Sequence, residues 1–196
     1  MRLSLPLLSV ISLAAVACAG PSKGPVSFTA NYAPSGNLTA LPSCAAASKV
    51  EVTDGRKSKS IVVGRRFEED APNVDYPIQM EGDIAPQLRT GLERIFKRAS
   101  DDTAKELDFT VRELFLEEKV FRNAEYDGRL ALAAEVKAPG SSKTCWKGEV
   151  VGLGENYGKA GNPENYQETI GRALDAAVAE LVKAPGFSDA LCGACK

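Results

Sequence analysis

Residues 126–154 read YDGRLALAAEVKAPGSSKTCWKGEVVGLG, and this stretch decides the fold. Leu130, Leu132, Ala134 and Val136 stand opposite Arg129, Glu135 and Lys137, the period-2 pattern of a strand with one covered and one wet face. Pro139, Gly140, Ser141 and Ser142 form a turn signal, and residues 143–154 read as the returning strand. Just upstream, LDFTVRELFLEE (107–118) alternates in the same way, with Leu107, Phe109 and Val111 against Asp108, Thr110 and Arg112. Three such segments in succession predict an antiparallel meander.

A half-covered sheet needs something to cover it. Asp83 is placed to cap a helix running to about residue 99, with Ile84, Leu88, Leu92, Ile95 and Phe96 on one stripe. Burying such side chains is worth about 1.5 to 3 kcal/mol each before ordering entropy is subtracted, so this helix must dock. A second helix follows Asn162 as cap and Pro163 in the first turn, with Ile170, Leu174, Ala177, Val178 and Leu181 as its stripe and Pro185-Gly186 as its stop. Earlier in the chain, KVEVTD (49–54) and SIVVGRRF (60–67) read as a hairpin turning at Asp54-Gly55. The acidic, proline-containing stretch up to Gly82 and the Gly- and Asn-rich stretch 152–162 read as loops. The expected class is α+β: an antiparallel sheet of four to five strands with two amphipathic helices on one face.

The chain start sets the compartment. Residues 1–17 carry Arg2, then an interrupted apolar run ending in small residues, the pattern of a secretory signal. The run falls short of the about 20 apolar residues a membrane span requires. Ala15-Val16-Ala17 leads directly into Cys18, which resembles the bacterial lipobox, with Ala15 where Leu is commoner. The resemblance implies cleavage before Cys18, acylation of its thiol and a stable tether of two or three acyl chains. Ala19 is not the Asp that in Gram-negative lipoproteins signals inner-membrane retention, so an outer-membrane anchor facing the periplasm is expected. Residues 18–47, rich in Pro, Gly, Ser and Ala, read as the tether, within which VSFTANY (26–32) alternates enough to dock as an edge strand. The domain is then 48–187, and 188–196 is a cysteine-containing tail.

Four cysteines remain: Cys44, Cys145, Cys192 and Cys195. An even count in an exported chain predicts two disulfides. Either the tail cysteines clip separately to Cys44 and Cys145, or Cys192 pairs with Cys195 and Cys44 with Cys145. Closing about 100 residues stabilises by up to ~4.7 kcal/mol in the chain-entropy model, whereas a Cys-x-x-Cys bridge constrains little, which favours clipping. The CGAC spacing (192–195) also raises a thiol oxidoreductase, but it follows the last helix instead of opening one after a strand, where the dipole lowers a thiol pKa. A zinc site lacks paired ligand knuckles, since Cys44 and Cys145 stand alone.

Composition narrows function further. Lys and Arg number 24 against 26 Asp and Glu, with no His. A basic face for nucleic acid is absent, as are the usual general base and most zinc chemistry. No catalytic constellation, cofactor motif or metal set stands out. GLGENYG (152–158) is a distorted echo of the dinucleotide fingerprint without a parallel βαβ unit around it. Arg56, Lys57, Lys59, Arg65 and Arg66 cluster near the first hairpin and are balanced by Glu68, Glu69 and Asp70, as a solvated hairpin would be. Asp101 with Asp102, and Glu117 with Glu118, are neighbours that point to opposite faces of a strand and cannot share a proton. Tyr126 and Trp146 can line a groove or pack in the core.

The lipobox, VTDGR (Asp54 and Arg56), the long helix, the meander with Tyr126 and Trp146, and the final helix leading to Gly186-Phe187 together resemble the YajG-type outer-membrane lipoproteins. Auxiliary lipoproteins of ABC-type envelope transporters have a similar element order. The four further cysteines depart from the YajG pattern. The resemblance implies a non-enzymatic, membrane-anchored envelope protein that binds a protein, glycan or lipid partner and no nucleic acid. The alternative it implies is an auxiliary subunit of a lipid-transport system.

Overall fold

The computed structural model describes residues 24–30, 44, 46–69, 71–96, 104–193 and 195. The signal segment, Cys18, Asp101 and Asp102 lie outside the described residues. The central strands are β5 (Lys105–Val120), β6 (Ala124–Lys137) and β7 (Thr144–Gly158), paired antiparallel in that order. Phe121 to Asn123 connect the first pair, and a turn in which Ala138 N–H donates to the Lys143 carbonyl (3.0 Å) connects the second. The alternation that predicted these strands is the one observed: Leu107, Phe109, Val111, Leu130, Leu132, Ala134 and Val136 are buried.

The rest of the sheet differs from the expected antiparallel sheet of four to five strands. It is a seven-stranded mixed sheet, ordered β1-β4-β3-β5-β6-β7, with β2 also on β5. β2 (Ala47–Asp54) and β3 (Val62–Glu68) both run parallel to β5, along its first and second halves. They do not form a hairpin with each other. Asp54 pairs with Val111 and Gly64 with Leu116, so the chain between them is longer than the β5 segment it passes and loops out. The Asp54-Gly55 turn therefore makes an excursion without reversing direction, and Gly55 N–H still donates to the Val111 carbonyl at 3.0 Å.

The stretch expected as a loop before Gly82 is β4 (Ala71–Met80), antiparallel to β3. Its two prolines, Pro72 and Pro77, are tolerated because β1 (Val26–Phe28) begins to pair, in parallel, only at Ile78. Up to Pro77, β4 is thus an edge, where a missing N–H is tolerated. Similarly, residues 152–158 are not loop but the end of β7.

Helix α1 (Ile84–Phe96) buries its whole predicted stripe, with Phe96 packed on Phe109 of β5 (ring centroids 5.9 Å apart). Helix α2 (Pro163–Lys183) is capped by Asn162, whose side chain accepts from the Glu164 N–H at 3.2 Å. Its five predicted stripe residues are all buried. α2 lies against β6 and β7, on the same sheet face as α1. A short helix α3 (Phe187–Cys192) follows, and Phe187 packs against both Phe96 and Trp146. Glycines set how closely α2 approaches. A Cβ on Gly152 would come within 1.9 Å of the Ala173 carbonyl oxygen, and one on Gly154 within 2.2 Å of that of Thr169.

Disulfides join Cys44 to Cys192 and Cys145 to Cys195, the clipping arrangement. Together they staple α3 and the chain end to the approach to β2 and to the start of β7. The sheet face away from the helices carries cross-strand ion pairs: Arg65 with Glu117, Lys119 with Asp127, Arg129 with Glu113 and Lys137 with Asp108.

Candidate functional site

The densest set of chemical groups is built by three elements. Arg66 and Glu68 are two apart on β3 and share the inner face, and Glu118 of β5 is the register partner of Arg66. Arg66 and Glu118 expose no side-chain surface and Glu68 almost none. Arg66 Nη2 donates to Glu68 Oε1 at 2.6 Å, and its Nε lies 3.5 Å from Glu118 Oε2. From α2, the Tyr166 hydroxyl donates to Glu118 Oε2. The Gly161 N–H, just before the Asn162 cap, donates to Glu118 Oε1 at 2.7 Å. One arginine thus meets two carboxylates, and two neutral donors serve both oxygens of Glu118, in the way that buried charge is compensated by hydrogen bonds.

Two tyrosines complete the set. Tyr126 of β6 meets Tyr166 edge-on at 5.1 Å, and Phe28 of β1 stacks on Tyr166 at 5.4 Å. The Tyr126 hydroxyl donates to the Lys159 carbonyl. Burial pushes Tyr126 up to about 12. Burial, reinforced by the hydrogen bond to Glu118, pushes Tyr166 well above the ordinary tyrosine value. The cluster is closed to solvent, and its chemistry is that of a polar rivet joining β1, β3, β5, β6 and the start of α2.

Among the described residues, two clefts that open to solvent stand out. One, of about 320 Å³, lies at the start of α1 and is lined by Thr53, Asp54, Arg56, Lys59, Asp83 and Pro86. Arg56 is already engaged there, donating to Asp54 through Nε (3.0 Å) and Nη2 (2.9 Å). That pairing holds the Asp54 carboxyl below the usual carboxylate value. The other cleft, of about 540 Å³, lies between the disulfides and is lined by Cys145, Trp146, Gly186, Asp189 and Cys192. Trp146 Nε1 donates to the Pro185 carbonyl at 2.9 Å, which fixes the indole as one wall. Both volumes are within the range of small-molecule sites.

The structure disperses the basic cluster read from the sequence. Arg56 pairs with Asp54, Arg65 with Glu117 on the outer face, and Arg66 turns into the core, while Lys57 and Lys59 are exposed. Glu117 and Glu118 point to opposite faces, as their adjacency requires. Tyr126 is core, and Trp146 lines a cleft. Cys192 and Cys195 are bonded to different partners. Among the described residues no group of His, Cys, Asp and Glu is arranged to hold a metal ion, and no helix is long and apolar enough to cross a membrane. The buried set of Arg66, Glu68, Glu118 and Tyr166 was not anticipated. The one available signal was that Arg66 and Glu68 share a strand face, but Val63 and Phe67 on the other parity favoured the opposite assignment.

No family model matches the chain, and no curated protein matches it. Among solved structures, it is similar to the crystal structure of a Xanthomonas campestris protein of the DUF330 family, at 11% sequence identity and a TM-score of 0.43, over 81% of this chain and 91% of that one.

Proposed function

We propose that this chain is a non-enzymatic lipoprotein of the cell envelope, acylated at Cys18, held at the periplasmic face of the outer membrane, and displaying its mixed-sheet domain to an envelope partner. The supporting observation is cysteine use. Of five cysteines, four are consumed in two long-range bridges, and the fifth is the one that follows Ala15-Val16-Ala17. Disulfides of this kind persist in oxidising compartments such as the periplasm, and export is what the signal-like residues 1–17 would provide. The leftover cysteine then has a chemical use other than pairing.

The test is Cys18→Ser in cells that export the chain. The variant is expected to leave the membrane fraction for the soluble fraction with both disulfides intact, and intact mass should show glyceride on the parent protein alone. Retention of the variant in the membrane, or a parent protein beginning at Met1 without added lipid, would refute the reading. Crosslinking in intact cells followed by mass spectrometry identifies the partner class. Recovery of an ABC-type transporter would place the domain with the auxiliary transport lipoproteins.

A further inference from the structure

β7 is the last strand of the sheet: it pairs with β6, and no described strand pairs with its other side. It is 15 residues long, and its register with β6 is unbroken from Trp146 to Gly158. Long unpaired edges are ready to accept another strand, and proteins usually blunt them with prolines, bulges, cover or charges that a like strand cannot match. Neither a proline nor a bulge interrupts this one over that span. Its outward-facing side chains are Lys147, Glu149, Val151, Leu153, Glu155 and Tyr157, with Leu153 62% and Tyr157 66% exposed. Arg172 donates to the Glu155 carbonyl at 2.6 Å, and a carbonyl oxygen has a second lone pair to offer.

We propose that two copies of this chain associate through this edge, β7 against β7, antiparallel about a two-fold axis at Val151. Charge selects the register. With the axis at Val151, Lys147 of each copy stands opposite Glu155 of the other, Val151 meets Val151, and each Leu153 stands opposite Glu149 and diagonal to the other copy's Val151. Two ion pairs then lie outside a centre formed by the two Val151 side chains and the two Leu153 side chains diagonal to them, each Leu153 covered by the aliphatic stem of a Glu149. Moving the axis to Gly152 sets Glu149 against Glu155 twice. Moving it to Val150 sets Lys147 against Leu153 and leaves the charges unmatched. Opposite charges across paired strands are favourable and like charges unfavourable, so one register satisfies this strand's sequence. The result is a continuous sheet through both copies with all helices on one face. Main-chain hydrogen bonds supply the affinity and the side-chain pairs the specificity.

Sedimentation equilibrium of the full chain in density-matched detergent tests the arrangement. The parent chain should dimerise. Lys147→Glu and Glu155→Lys should each weaken association about tenfold or more, since each substitution acts twice in a two-fold interface. The double exchange should restore it, because every pair is re-formed with its signs swapped. Both positions are exposed, so the fold is unaffected, which circular dichroism checks. Val151→Cys should yield a disulfide-linked dimer on oxidation, and Leu153→Cys should not, because the two copies of residue 153 lie on opposite sides of the axis. A chain that stays monomeric, a dimer indifferent to the charge exchanges, a double exchange that fails to restore it, or equal crosslinking at 151 and 153 would overturn the proposal.

Discussion

Arg66 and Glu118 are register partners on the parallel strands β3 and β5, and both are fully buried, with 3.5 Å between Nε and Oε2. This pair sits where the chain has to return to β5 after the excursion that follows Asp54. A continuous parallel strand beside β5 would need no such fixture. Here β3 must find its place again beyond the excursion, and the inward charge of Arg66 is matched at one position only, opposite Glu118 and beside Glu68. The polar rivet thereby serves register more than net stability, in keeping with the small or negative net worth of many buried ion pairs.

Removing the arginine alone should therefore be far worse than removing the charges together. Arg66→Met leaves two buried carboxylates without their cation and is expected to cost about 3 to 5 kcal/mol. Combining it with Glu68→Gln and Glu118→Gln should recover a substantial part of that loss. Urea midpoints with unchanged slopes read both effects. If the single variant is no less stable than the triple, the cluster does not act as a unit.

The glycines of β7 make a second, sterically defined prediction. Gly152→Ala places a methyl against the Ala173 carbonyl and Gly154→Ala against that of Thr169, and backbone cannot rotate aside as a side chain can. Each substitution should destabilise by about 1 to 3 kcal/mol or more. Thermal unfolding checks it. Variants as stable as the parent would mean that α2 sits farther from the sheet than described.

These same glycines show where sequence reasoning falls short. GLGENYG looks like a loop because glycine is counted as flexible, yet its glycines, 152, 154 and 158, stand at even spacings on the one face of β7 that α2 covers. Alternation reveals that a segment is a strand and which side is apolar, so β5, β6 and β7 were legible. It carries no information on strand direction, so the parallel pairing of β2 and β3 with β5 was not. Asp54-Gly55 looks like a hairpin turn, but whether a turn reverses the chain depends on what the next strand finds to pair with. Pro77 argued against a strand, and only the late start of β1 explains why one forms there. Both helices were legible in their stripes, and α2 also in its Asn162 cap, because those signals are local. Arg66 was hidden for the opposite reason: beside the local Glu68, its partner Glu118 lies on β5, and the Tyr166 hydroxyl that completes Glu118 comes from α2, both far away in sequence.

The two disulfides should differ in their effect on stability. Cys44–Cys192 spans 148 residues of chain and Cys145–Cys195 spans 50, which in the chain-entropy model corresponds to about 5 and about 4 kcal/mol. Replacing each pair by serine should lower the denaturation midpoint, more for the first pair. The second replacement should also loosen the end of the chain beside Trp146, and so raise the exposure of the indole. Tryptophan fluorescence reports on it cleanly, since the protein has a single tryptophan. An unchanged emission spectrum on loss of Cys145–Cys195 would show that the Pro185 and Phe187 contacts hold Trp146 without the bridge.

Alkaline pH should unfold the domain through its buried tyrosines. Burial raises the Tyr126 value from 10.0 to about 12, and Tyr166 is shifted in the same direction by burial and by its bond to Glu118. A group whose folded value is raised binds its proton more tightly in the folded state. Its contribution to stability is complete below the unfolded value and is lost as pH rises through the folded one. For Tyr126 that window runs from about pH 10 to about pH 12. Tyr166 continues the loss upward, because its hydroxyl cannot ionise beside the Glu118 carboxylate while the fold holds. Absorbance at 295 nm should therefore show part of the tyrosine signal appearing only together with unfolding, and urea midpoints should fall across the same interval. In Tyr126→Phe the fall between pH 10 and 12 should shrink, while the step due to Tyr166 remains. Should all five tyrosines ionise near pH 10 with the far-ultraviolet spectrum unchanged, Tyr126 and Tyr166 are not enclosed as described.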